Sequence, residues 1–322
     1  MSELPPLQFV PILREYLWGG RRLAELGKPL GDGDRYAESW EIVDHGADQS
    51  VVVGGPWAGK TLHELVTRHG KALLGRHHPL PQFPLLWKYL DCQRTLSVQV
   101  HPNDAQAARL DPPDSGKTEA WVVLSAQPGS KIFAGLKAGV DRTTLEQAVE
   151  RGTCDECLHS FEPRPGDCVF IEAGTVHALG AGLLIAEIQQ ASDTTFRLFD
   201  WNRLDRDGQP RPLHVQDALK TIDFSRGPVV PRVPQPTSQP HVERLVACEK
   251  FILDRWQIDS PQPLASDDRF HILAAIEGSV TATASDSRHE LRRGSTLLLP
   301  ASCRDLQLAP QGRVVLLDMY LP

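Results

Sequence analysis

The stretch Leu96-Ser97-Val98-Gln99-Val100-His101-Pro102 constrains the fold of this chain more than any other. Its strict alternation has the period of a strand, so Ser97, Gln99 and His101 share one face while Leu96, Val98 and Val100 share the other. The apolar run Phe83-Pro84-Leu85-Leu86-Trp87 just before it belongs well inside a domain. A buried amide beside a buried imidazole needs partners, and a metal ion would supply one. A second polar face follows in Lys117-Thr118-Glu119-Ala120-Trp121-Val122-Val123-Leu124, where Lys117, Glu119 and Trp121 alternate onto one side. Between the two, Asn103 to Leu110 is Ala-rich with an Asx-type start and predicts a short inserted helix, ended by Asp111-Pro112-Pro113-Asp114-Ser115-Gly116.

The flanking sequence fits a mainly β chain with a few helices. Thr61 and Glu64 form a capping-box pattern ahead of Leu65 and Val66, and Asp141 to Arg151 has the spacing of an amphipathic helix. From there on, short strands alternate with Gly and Pro turns, the texture of a sandwich or barrel. The Pro-rich segment from Gly227 to Pro236 reads as an extended linker. It divides the chain into residues 1–235 and 236–322.

Charge and composition narrow the function. A net charge of −7 and a pI near 5.9 argue against the clustered Lys and Arg that nucleic acid demands. No apolar run approaches a membrane span, and Met1-Ser2-Glu3-Leu4-Pro5-Pro6 is unlike a secretory leader, so a cytoplasmic protein acting on a small molecule is the expectation. The oligomeric state is not legible, a monomer being the expectation. The six cysteines are expected as thiols. Cys154-x2-Cys157 is expected to be structurally idle, because Asp155 and Glu156 oppose the electropositive setting that redox motifs need.

The run Pro165-Gly166-Asp167-Cys168-Val169-Phe170-Ile171-Glu172-Ala173-Gly174-Thr175-Val176-His177 resembles the second metal-binding motif of the cupins. Gly166, Gly174 and His177 match, and Glu172 stands in place of the motif's proline. The first cupin motif is recast as Gln99-x-His101, with Glu119 displaced by the predicted helix. The resemblance implies a double-sheet jelly roll with a metal inside, which accounts for the inward polar faces. Two imidazoles, a carboxylate and an amide oxygen suit zinc and leave it a net positive charge. Singly, His101 reads as a core histidine and Glu119 as a salt-bridge partner; together they favour a site. Gly294-x5-Pro300 repeats the Gly166 spacing, but Ser302 and Asp305 replace the motif's Gly and His. A second, metal-free cupin is therefore expected at 236–322, without a counterpart of the polar faces.

Further blocks sharpen the resemblance: Phe83 to Lys88, Ser97 to Asp104, Gly116 to Trp121, and Leu184 to Asp200 with its Asp193-Thr194-Thr195-Phe196-Arg197. In order and density they resemble the type I phosphomannose isomerase family in its shorter bacterial form, over residues 15 to 205. The resemblance implies a zinc-dependent aldose-ketose isomerase interconverting mannose 6-phosphate and fructose 6-phosphate through an enediol. The implied zinc ligands are Gln99, His101, Glu119 and His177, with one zinc per chain, and the implied catalytic arginine is Arg197. Lys117 would assist proton handling, Glu187 would line the cavity, and Ser97 and Arg203 would contact the phosphate. By alternation Glu187 and Arg197 can face one interior, either as working groups or as a buried ion pair. Glu187, Lys117 and a zinc-bound water stay open as the base. Two other classes stay open as well: another metal-dependent cupin enzyme, such as an oxygenase with a redox metal, and a non-catalytic sugar-phosphate-binding cupin.

Overall fold

In the computed structural model, which describes residues 3–204, 208–284 and 287–322, the chain is mainly β and carries two double-sheet jelly rolls. It divides into two units: Glu15–Gly20 with Leu90–Arg232, and Met1–Arg14, Arg21–Tyr89 and Val233–Pro322. One crossing, at 232–233, lies within the expected linker. Residues 21–89 group with the C-terminal barrel instead of the 98–199 strands, an arrangement that rests on contacts far apart in sequence, such as Trp87 Nε1 to Thr296 Oγ1 at 3.1 Å and Lys28 Nζ to the Gly294 carbonyl at 2.7 Å.

In the unit built on Leu90–Arg232, one sheet orders the strands 196–199, 98–100, 177–179, 132–136 and 158–161. In the other, 119–126 lies between 183–190 and 168–171. The apolar side of the 98–100 strand does not face the barrel interior. Val98 and Val100 pack with Leu145, Ala148, Ala218 and Leu219, under the helices Arg142–Arg151 and Val215–Thr221. Covering that face with helices leaves Gln99 and His101 to turn inward. Two helices of this unit start at side-chain caps: Asp141 accepts from the Thr144 amide, and Asn103 and Gln106 close a capping box on the short Asp104–Ala107 helix. In the other unit, Thr61 and Glu64 do the same for Leu62–Leu74. Cys154 and Cys157 lie buried in a 3-10 turn, and burial pushes both thiols above their ordinary pKa.

The C-terminal barrel packs the sheet 235–236, 242–247, 252–258, 314–320, 271–277, 296–299 against the sheet 262–264, 306–310, 279–284, 287–292. Trp256, Leu273, Leu297 and Leu316 of the first meet Val280, Leu291 and Leu308 of the second. Its register repeats that of the first barrel. The Gly166 amide donates to the Val123 carbonyl at 2.8 Å, and the Gly294 amide donates to the Ala275 carbonyl at 2.7 Å. Five residues on, Ile171 pairs with Glu119 and Leu299 pairs with His271. On the next strand, Glu187 pairs with Trp121 and Asp318 with Leu273. His271 and Asp318 thus hold the places of Glu119 and Glu187. The expectation that this barrel lacks an inward polar face is corrected: His271 Nδ1 lies 2.8 Å from Asp318 Oδ1, both buried. Each sits alone in an otherwise apolar run, which hid the face. Asp305, at the motif position of the metal histidine, is exposed with φ 55°.

Candidate metal centre

Gln99 and His177 are direct cross-strand partners, so their side chains rise from the same face of one sheet. Glu119 comes from the opposite sheet, beside Trp121, whose ring meets His177 edge-on at 5.3 Å. The result is a cluster of His101, Glu119 and His177 with one ligand atom each, all within 4.8 Å of one another and each side chain about 1% exposed or less. Glu119 bridges the imidazoles, with Oε2 3.4 Å from His101 Nε2 and Oε1 3.4 Å from His177 Nε2.

Both rings are oriented from behind. His101 Nδ1 lies 3.0 Å from the Thr194 carbonyl, and His177 Nδ1 lies 2.9 Å from the Thr175 carbonyl. A carbonyl only accepts, so each Nδ1 carries the proton and each Nε2 offers its lone pair to the centre. Burial, aided by the charge of Lys117, lowers the His177 pKa to about 4 against the Thr175 bond and the Glu187 charge, so this ring is neutral at pH 7. Gln99 Nε2 stands 3.2 Å from His177 Nε2; turning the amide over presents Oε1 to the same spot. Two lone-pair imidazoles, a carboxylate and a reachable amide oxygen fit a divalent ion such as zinc.

Lys117 belongs to the same cluster. Its ammonium donates to Glu119 Oε2 at 2.7 Å and to His101 Nε2 at 3.0 Å, and lies 3.8 Å from Glu187 Oε1. Glu187 is buried on the Glu119 face through the pairings Glu187–Trp121 and Gln189–Glu119.

Arg197 is the cross-strand partner of Gln99. Its Nη1 donates to the Pro212 carbonyl at 2.8 Å, and its buried Nε has no hydrogen-bond partner among the described residues. Burial, then the charges of Arg211 and Arg203, lower its pKa, and Asp200 is the carboxylate that opposes them. Ser97 is buried ahead of the 98–100 strand. Arg203 stands apart from the histidine cluster, donating to the Thr95 carbonyl at 2.5 Å and to Asp200, in a small cavity with Arg94, Arg211 and Trp18.

Sequence reasoning did not single out the carbonyls of Thr175 and Thr194, which have no side-chain signal. It also missed Arg211, whose Nε and Nη2 grip Asp200 at 2.7 and 2.6 Å. A carboxylate at Asp200 between Arg197 and Arg203 was the available clue.

The chain matches the family model for the catalytic domain of phosphomannose isomerase type I over residues 7–120, and that for the mannose-6-phosphate isomerase cupin domain over 241–318. It is 34% identical to a mannose-6-phosphate isomerase of Bacillus subtilis over 94% of this chain and 95% of that protein. It is 33% identical to one of Streptococcus mutans over 94% of each. The crystal structure of the mannose 6-phosphate isomerase from Bacillus subtilis superposes with a TM-score of 0.90 at 30% identity, over 99% of this chain and 100% of that one.

Proposed function

Since the chain belongs to the type I phosphomannose isomerase family, we propose that it is a mannose-6-phosphate isomerase using one zinc ion, held by Gln99, His101, Glu119 and His177. The observation that carries the metal reading is the buried His101, Glu119 and His177 set with both Nε2 lone pairs turned to one point. When bound, zinc supplies a positive charge that polarises sugar oxygens.

The remaining chemistry falls to side chains. Interconversion moves a proton between C2 of the aldose and C1 of the ketose, by way of an enediol. Glu187 is a carboxylate that can accept that proton, and Lys117, 3.8 Å away, is an ammonium that can return one to an oxygen. Arg197, on the Gln99 face, carries a permanent charge that favours the developing enediolate. Ser97 and Arg203 bind the phosphate, Arg203 from a small cavity that Arg94, Arg211 and Asp200 also line. In this reading residues 1–235 carry the reaction and the barrel from 236 to 322 carries no metal. The six free cysteines suit a reducing compartment such as the cytoplasm.

A coupled assay with mannose 6-phosphate tests the reading. Turnover that vanishes with a chelator and returns with zinc is expected. Absence of turnover, or turnover indifferent to the chelator in a protein shown to be metal-free, would sink it.

A further inference from the structure

The segment that separates His101 from Glu119 in sequence is tied down at both ends. The Lys117 amide donates to the Pro102 carbonyl at 3.0 Å, so the excursion from 102 to 117 closes on itself. Asp104 Oδ1 accepts from the Gly116 amide and from Gln190 Nε2, each at 2.9 Å, and Gln190 Oε1 accepts from the Thr118 amide at 3.1 Å. At the far end, Asp114 Oδ2 accepts from Ser192 Oγ at 2.8 Å and from Thr194 Oγ1 at 2.6 Å. The Thr194 amide in turn donates to Ser192 Oγ at 3.2 Å. Thr194 is the residue whose carbonyl accepts a hydrogen bond from His101 Nδ1.

Asp114 is itself fixed. Its amide donates to the Ala107 carbonyl at 3.1 Å, and its Oδ1 accepts from the Ser115 amide at 2.8 Å. A carboxylate gripping two hydroxyls beside one peptide sets the direction of that peptide's carbonyl, because charge-assisted bonds are stronger and shorter than neutral ones.

We propose that Asp114 is a positioning residue for the metal centre: through Thr194 it holds the carbonyl that turns the His101 Nε2 lone pair into the site. The inserted segment is then a brace for a ligand. The proposal rests on the metal reading above.

The test uses the full chain, stripped of metal and titrated with zinc against a chromogenic zinc chelator. Asp114→Ala and Thr194→Val should each weaken zinc binding by about 10–100-fold, the range found when a group behind a ligand is lost. Asp114→Asn, which keeps an acceptor oxygen, should recover most of the affinity. Activity at saturating zinc should return to near wild type in all three, since Asp114 touches no reacting atom. Thr194→Val alters only a half-buried hydroxyl, so it answers even if Asp114→Ala does not fold. Wild-type zinc affinity in Thr194→Val, or in a folded Asp114→Ala, overturns the proposal. Failure of the wild-type protein to bind zinc overturns the metal reading instead.

Discussion

Arg197 stands directly across the sheet from Gln99, so a permanent cation and a candidate metal ligand rise from one face. A guanidinium there is held by a carbonyl, with its Nε not engaged by any described residue. That leaves donor capacity for charge appearing on a substrate.

Arg197→Lys should therefore lower kcat by about 10²–10³, comparable to losing one preorganised donor, with a much smaller rise in KM. Steady-state kinetics decide it. A large rise in KM with kcat spared would assign Arg197 to the phosphate instead.

His101→Ala and His177→Ala should each lose zinc and activity while the far-ultraviolet circular dichroism is retained, because the apolar cores lie outside the cluster. Asp305→Ala, at an exposed position, should leave the zinc content as it was. Metal analysis by mass spectrometry checks both, and stoichiometric zinc in either histidine variant at low free metal would refute the ligand assignment.

Gly116→Ala should destabilise the protein by about 1–3 kcal/mol, as overpacking does. A Cβ there would meet the Asp104 backbone nitrogen at 2.6 Å and its Oδ1 at 2.7 Å, and neither can move without opening the Asp104 bond to Gly116. Urea unfolding of the metal-free protein measures the cost. An unchanged midpoint would mean the turn relaxes freely.

The His271–Asp318 pair gives stability a dependence on alkaline pH. Burial pulls the imidazole down, but the Asp318 charge and bonds to Asp267 and Asp318 outweigh it and hold the pKa up at about 9, against an ordinary 6.5. A folded value above the unfolded one contributes stability that is complete below pH 6.5 and lost as pH rises through 9. The Tm should fall by several degrees across that window, and His271→Gln should start lower and lose this part of the slope. Equal slopes in the two proteins would dismiss the ion pair as its source.

The sequence was legible where the signal is local or periodic. Alternation at 96–101 assigns Gln99 and His101 to one face, capping patterns locate the helices at Thr61 and Asn103, amphipathic spacing locates the one after Asp141, and the spacing after Gly166 and Gly294 marks the repeated turn. What it hid is long-range. The grouping of residues 21–89 with the C-terminal barrel rests on contacts like Trp87 to Thr296, which no window of sequence contains. His271 and Asp318 lie 47 positions apart, each within a run of apolar residues, so neither strand shows a polar stripe. The orienting carbonyls of Thr175 and Thr194 belong to the backbone, which residue type does not reveal.

The matching register of the two barrels sets two acids, Glu119 and Glu187, against a base and an acid, His271 and Asp318. His271 meets Asp318 at 2.8 Å and Asp267 at 3.3 Å, so the second barrel answers its acids with a cation of its own. Glu119 and Glu187 share Lys117, whose ammonium lies 2.7 Å from the one and 3.8 Å from the other, so two acids meet one lysine at these positions. In the proposed function a metal ion supplies the balancing charge there, and an ion, unlike a side chain, can exchange its partners.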